Sequence, residues 1–178
     1  PILSKNLRYQ KICETKIDNS SNFRDKHYKF ISQNYSKSKF FNEYKDTIRE
    51  IIYKNFDYLS EMNIYIINKI NKLINIKKEI YKSSDFSIKG KRSELLINIC
   101  KKFNIKNYIS VEGTKEYIEI DKNFFLKNNI NVDFFSYKPI KYKTFYKNFI
   151  PNLSIIDILL NCGPDTKKII MNGLESKD

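Results

Sequence analysis

The stretch Tyr108-Ile-Ser-Val-Glu-Gly-Thr-Lys-Glu-Tyr117 decides the fold when it is read with Val132-Asp-Phe-Phe-Ser-Tyr137 and with Phe149-Ile-Pro-Asn-Leu-Ser-Ile-Ile-Asp-Ile-Leu-Leu-Asn-Cys-Gly163. The first piece reads as a strand ending in a turn, the second as another strand, and the third as a capped apolar helix with a clean stop. Outward from these, a helix over 91–103 precedes a strand over 105–111. A helix over 121–129 then leads to a strand over 131–137. Strands alternating with helices in this way predict βαβ units and neighbouring parallel strands. Three consecutive helices, over 22–34, 38–55 and 57–76, carry apolar residues at three-and-four spacing. The expected fold class is therefore α/β: a mostly parallel sheet with helices on both faces and a helix-rich N-terminal half. Short strands are expected over 11–17, with Ile12 and Ile17 as apolar anchors, and over 77–81. Residues 1–7 read as the end of a strand and a loop.

Composition bounds the reading. A chain of 178 residues is long enough for a real core, so a single domain over 1–178 is expected, with a loose tail at 174–178. At 41% hydrophobic and 15% aromatic residues it is not a disordered segment. The formal net charge of +13 suits an anionic partner. Its lysines are spread along the whole chain, with no arginine-rich block and no zinc-finger spacing, which argues against specific nucleic-acid binding. An anionic small molecule fits the sign equally well. Cys13, Cys100 and Cys162 are far apart and form no C-x-x-C, so they read as reduced thiols of a cytoplasmic protein. No apolar run is long enough to span a membrane. No metal-ligand cluster stands out, and no cofactor is implied.

Candidate chemistry falls in several places. His27 is the only histidine. It reads either as a proton donor or acceptor near neutral pH or as a core histidine hydrogen-bonded to a backbone carbonyl. Lys89, Lys91 and Arg92 surround a turn at a helix start, where free N–H groups attract anions. The plainer alternative is a flexible turn with solvated lysines. Ser110, Gly113, Thr114 and Tyr117 follow the carboxyl end of a strand, the ligand edge of a parallel sheet. Alternatively, Gly113 supplies a positive φ there and Thr114 caps the next helix. Lys141, Tyr142, Lys143, Phe145 and Tyr146 lie in a long aperiodic loop. They either stack on a sugar or base and hold a phosphate, or pin the loop to the core. Ser154 and Asp157 have capping-box spacing, with the carboxylate reaching back to the helix start. Asp157 is also the best orienting or basic group beside His27. These small, hydroxyl-bearing and basic side chains are expected to gather along one rim, with Lys91, Ser110, Gly113 and Ser154 on it.

The stretch resembles the WbqC-like proteins, a family of bacterial surface-polysaccharide gene clusters, over the C-terminal three-quarters of the family pattern. The matching residues are Tyr108, Ile109 and Ser110, then Tyr117 and Ile118, then Ile130, Val132 and Phe134. Phe149, Ser154, Ile155, Ile156, Asp157, Leu159, Leu160, Asn161 and Gly163 complete it. Val111 stands where the family has Gly, Thr144 where Gln is common, and Asn104 where a Gly often ends the preceding helix. The family's first segment, with its most distinctive polar residues, is expected to be missing. The resemblance implies an enzyme of O-antigen or capsule biosynthesis: an acyl- or glycyl-type transferase acting on a nucleotide-linked amino sugar. His27 and Asp157 would then be catalytic. Ser110, Gly113, Thr114, Tyr117, Tyr142, Ser154 and Asn161 would bind substrate, and Lys89, Lys91 and Arg92 its anionic part. A non-catalytic binding module for an anionic ligand is the alternative; a nucleic-acid-binding protein is a further one.

Overall fold

The computed structural model describes residues 1–4 and 9–175; residues 5–8 and 176–178, where part of the expected N-terminal loop and of the tail fall, lie outside the described residues. In chain order the helices are α1 (Phe23–Tyr35), α2 (Phe41–Tyr53), α3 (Leu59–Leu73), α4 (Arg92–Lys102), α5 (Lys115–Ile120), α6 (Lys122–Lys127), α7 (Ile155–Cys162) and α8 (Thr166–Asn172). The strands are β1 (Asn107–Val111), β2 (Asn131–Tyr137) and β3 (Leu174–Glu175). The chain forms two compact units, one of Pro1–Lys78 with Pro139–Met171, the other of Glu79–Lys138 with the residues after Met171.

The first unit is helical because its apolar residues recur at helical spacing. Phe41, Tyr44, Ile48 and Ile51 are the buried residues of α2. Phe41, Tyr44 and Ile48 meet Ile74 after α3 and Leu159 and Leu160 of α7 in one core. The Phe40 N–H donates to the Leu160 carbonyl at 3.0 Å. Gly163 ends α7 at φ +54, and a Cβ there would overlap the Phe40 ring, so glycine is required on both counts. The expected strand over 11–17 is instead a 3-10 turn at Ile12–Glu14 followed by isolated bridges, Lys16 with Tyr58 and Ile17 with Ile2. Ile17 is buried as expected, but Ile12 is exposed and anchors nothing.

The second unit holds the sheet. β1 and β2 run parallel, with Tyr108 opposite Val132 and Ser110 opposite Phe134, as the βαβ reading predicts. The connection contains two short helices, α5 and α6, where one was expected. Ile97 and Cys100 of α4, Ile118 of α5, Phe125 of α6 and Ile130 form the core, with Tyr108, Val132 and Phe134 packed against it. The Tyr108 ring stacks on Phe125 with centroids 5.9 Å apart. The alternate residues Ile109, Val111, Phe135 and Tyr137 remain exposed. Helices on both faces are therefore not confirmed: α4, α5 and α6 meet one alternating set of residues. β3 adds an antiparallel pairing, Tyr137 with Leu174, where 174 and 175 were expected to be loose. The expected strand over 77–81 has no regular structure. Tyr81 packs instead against the rings of Phe86 and Phe103, at 5.9 and 4.9 Å.

Candidate functional site

The site is built on the first turn of α7 and the loop before it. Ser154 is the N-cap, and its Oγ accepts from the Ile156 N–H at 3.3 Å. The predicted cap is real, but the reciprocal carboxylate contact is not. Asp157 lies one turn in and turns its side chain into the interior, where it is 2% exposed. The Tyr142 hydroxyl donates to its Oδ2 at 2.6 Å. Asn161, four residues on and so on the same helix face, donates through Nδ2 to the Asp157 carbonyl at 2.8 Å and to Oδ1 at 3.4 Å. The Asn161 Oδ1 in turn accepts the Phe145 N–H at 3.0 Å. The Tyr146 hydroxyl donates to the Asn34 carbonyl at 2.7 Å. The long loop is thus tied down at Tyr142, Phe145 and Tyr146, which is the pinning reading.

Burial and the Asp157 carboxylate shift the titrations around it. The Tyr142 phenol is pushed well above its ordinary value, first by burial and then by hydrogen bonding to Asp157 and repulsion from it. Tyr35, at the end of α1, is raised for the same reasons. The Cys162 thiol is pushed up to about 11 by burial, then by Asp157 and Asp165, against a small opposing pull from Lys39. A thiol so placed stays protonated at neutral pH and is a poor nucleophile.

Against this buried cluster opens a cavity of about 800 Å³. Its walls carry Lys37, Lys39, Lys141 and Lys143 together with the rings of Tyr142 and Phe145, and Asn161, Cys162 and the carboxylate-bearing Asp165 also line it. The Lys37 ammonium lies 5.7 Å from the Phe145 ring centroid. Among the described residues none of these four lysines enters an ion pair. The volume lies within the usual range for small-molecule sites, and the lining sets four lysine ammonium groups against the carboxylate of Asp165. Lys141, Tyr142, Lys143 and Phe145 of the pinned loop therefore also line an open cavity. Lys37 and Lys39 were not singled out in the sequence. Their one signal was a Lys-Ser-Lys turn just before a helix, and lysine is too common in this chain for that to stand out.

The other candidates lie elsewhere. His27 is exposed on α1, edge-on to the Phe23 ring at 5.7 Å, so it is not a core histidine. It lines a separate apolar cavity with Ser154. No hydrogen bond among the described residues joins it to Asp157. Lys91, Ser110 and Gly113 belong to the second unit and Ser154 to the first. Ser110 is buried, with its hydroxyl 2.7 Å from that of Thr114, and Thr114 donates to the Val111 carbonyl at 2.7 Å. Thr114 is the residue before α5, but its side chain makes no capping bond, and Gly113 does not use a positive φ. Tyr117 is exposed on α5. The Lys89–Arg92 turn does open α4, with Gly90 at φ +120 and Arg92 at φ +51. Ser93, in the first turn, donates to the Asp121 carboxylate. That helix start therefore already faces a negative charge, which competes with any anion. No cluster among the described residues could hold a metal ion, and no helix among them is long and apolar enough to cross a membrane.

Comparison with known proteins adds three findings. The model of the WbqC-like protein family matches residues 1–169. The match runs from residue 1 and so lends no support to the expected absence of a first family segment. The uncharacterized protein Rv1507c of Mycobacterium tuberculosis is 29% identical over 167 residues, covering 93% of this chain and 71% of that relative. No solved structure gives a significant match.

Proposed function

The chain belongs to the WbqC-like protein family, and from that premise we propose that it binds a nucleotide-linked amino sugar as an enzyme of bacterial surface-polysaccharide biosynthesis. The observation that carries this reading is the cavity lined by Lys37, Lys39, Lys141 and Lys143 beside Tyr142 and Phe145. A diphosphate needs several cations, and a nucleobase or sugar ring needs a flat apolar face. Both are present within one opening. The reading puts the protein in the cytoplasm, where nucleotide sugars are made.

Acyl or glycyl transfer is the reaction the family resemblance implies. The amine of the sugar would attack the carbonyl carbon of an activated acyl donor, a thioester or acyl adenylate. The new C–N bond forms, the donor's leaving group departs with its electron pair, and a base takes the ammonium proton. A non-catalytic binding module is the second reading, and one observation favours it. Asp157 is already held by Tyr142 and Asn161, and His27 lines another cavity. Among the described residues no histidine lines the lysine cavity beside its carboxylate, Asp165.

Calorimetric titration with a uridine-diphosphate amino sugar, set against the free amino sugar, tests binding. Saturable binding of the nucleotide form alone is expected. The Lys141→Glu, Lys143→Glu double variant should weaken it by about tenfold or more, equivalent to about 1.4 kcal/mol or more. Lack of binding at millimolar ligand, or indifference to the double variant, would overturn the reading. Mass spectrometry of the sugar after incubation with an activated glycine or acyl donor then separates the two readings, because only an enzyme adds mass.

A further inference from the structure

The cavity that His27 and Ser154 share has a different character from the lysine-lined one. Its volume is about 350 Å³, and its lining is eight isoleucines from α1, α2, α3 and α7 together with Phe30, His27 and Ser154. Among the described residues, no carboxylate, lysine or arginine lines it. Burial is graded along it. Phe30, His27 and Ser154 are exposed, while Ile48 and Ile51 are buried. The opening is thus polar on one side and the interior wholly aliphatic.

Protein interiors are normally packed without voids larger than a water molecule. An apolar cavity of about 150 Å³ lined by such residues stays dry and accepts a benzene-sized guest. By that scale this one holds on the order of ten carbon atoms. Its mouth asks for an oxygen. The Ser154 Oγ accepts from the Ile156 N–H, which leaves its own O–H to donate outward. The ring nitrogens of His27 have no hydrogen-bond partner among the described residues. A guest must therefore be long, aliphatic and unbranched enough to enter between isoleucines, with an oxygen acceptor at one end.

We propose that this cavity binds a medium-length acyl group, its hydrocarbon chain among the isoleucines of α2 and α3 and its terminal oxygen at His27 and Ser154. The site goes beyond the nucleotide-sugar reading and stands without it. Where both hold, it names the acyl donor as an aliphatic one, in place of a glycyl donor.

The test is displacement of an environment-sensitive naphthylamine dye by linear saturated carboxylic acids of four to sixteen carbons. Affinity should rise roughly fourfold per added methylene and level off near about ten carbons, where the cavity is full. Ile52→Phe, which fills part of the cavity, should shorten the chain length at which affinity levels off. His27→Gln with Ser154→Ala should weaken every chain length by a similar factor, about two- to tenfold. The rim variants lie on the surface and carry the test if Ile52→Phe fails to fold by circular dichroism. Lys141→Glu with Lys143→Glu should leave the series unchanged, which separates this site from the lysine-lined one. The proposal is overturned by absence of displacement at every length, or by affinity independent of chain length. A series that a folded Ile52→Phe variant and the rim variants leave untouched would overturn it too. Failure here with nucleotide-sugar binding intact would leave the function proposed above standing, and the reverse result would leave this one.

Discussion

At the scale of residues, the decisive group is Asp157, whose carboxylate is 2% exposed and held by a phenol and an amide. Hydrogen bonds to a charged, buried acceptor contribute about 1.5–3 kcal/mol each. The phenols that meet it carry a pH signature. Tyr142 and Tyr35 have folded-state pKa values above the ordinary phenol value, so the unfolded chain loses those protons first as pH rises. Stability from this source is whole below about pH 10 and is lost above it. Each phenol adds at most about 1.4 kcal/mol per pH unit to that loss, and less here because both are only partly buried. Urea denaturation between pH 8 and 11 should show stability falling above pH 10, and Tyr142→Phe should flatten that fall. An unchanged slope in the variant would remove Tyr142 from the account. The Ser154–Asp157 spacing was legible as a cap because caps are local. The carboxylate's partners were not, since Tyr142 and Tyr35 reach it only through tertiary packing. The same limit hid Lys37 and Lys39, which meet Lys141 and Lys143 only once the chain is folded.

At the scale of elements, three helices stop by one device. Asn75, Asn104 and Asn129 follow α3, α4 and α6 with φ of 54, 53 and 58°. In each case the next N–H returns to a carbonyl five residues back: Ile76 to Asn71, Ile105 to Cys100, and Ile130 to Phe125. This is the Schellman closure, in which a left-handed residue is followed by an apolar one. Asn104 holds the left-handed angle that glycine adopts most easily, and it does a glycine's work. Asn104→Ala should therefore cost about 1 kcal/mol, and Asn104→Gly should be neutral or stabilising, read from urea midpoints. Equal losses in both variants would mean that the asparagine side chain, rather than its backbone angle, is what matters. Long amphipathic helices were legible because their period repeats over several turns. The two-residue β3 and the six-residue α5 were not, because pairing and packing define them more than pattern does. The strand expected over 77–81 shows the converse: Lys77-Lys-Glu-Ile-Tyr81 offers little apolar surface and finds no partner strand, so it does not become one.

At the scale of the whole molecule, the net charge of +13 has consequences that no single lysine has. Excess positive charge raises the local concentration of anions and speeds their arrival, and ions screen the effect beyond about 8 Å at physiological salt. It gives no sequence preference toward nucleic acid. Two behaviours can thus be told apart on one protein. A nucleotide sugar held by the four lysines should associate more slowly as salt rises from 20 to 500 mM, by about tenfold. Its dissociation should change less, because salt acts most strongly on the long-range approach. Duplex DNA held by dispersed charge alone should lose affinity steeply over the same range and show no dependence on sequence. Stopped-flow measurement of the nucleotide sugar and filter binding of two unrelated duplexes provide the readouts. A sequence-dependent DNA affinity that survives 500 mM salt would reverse the ranking of partners, since general charge cannot discriminate between sequences. Salt-independent association of the nucleotide sugar would separate the cavity from the molecule's charge and leave its shape and rings to explain the binding.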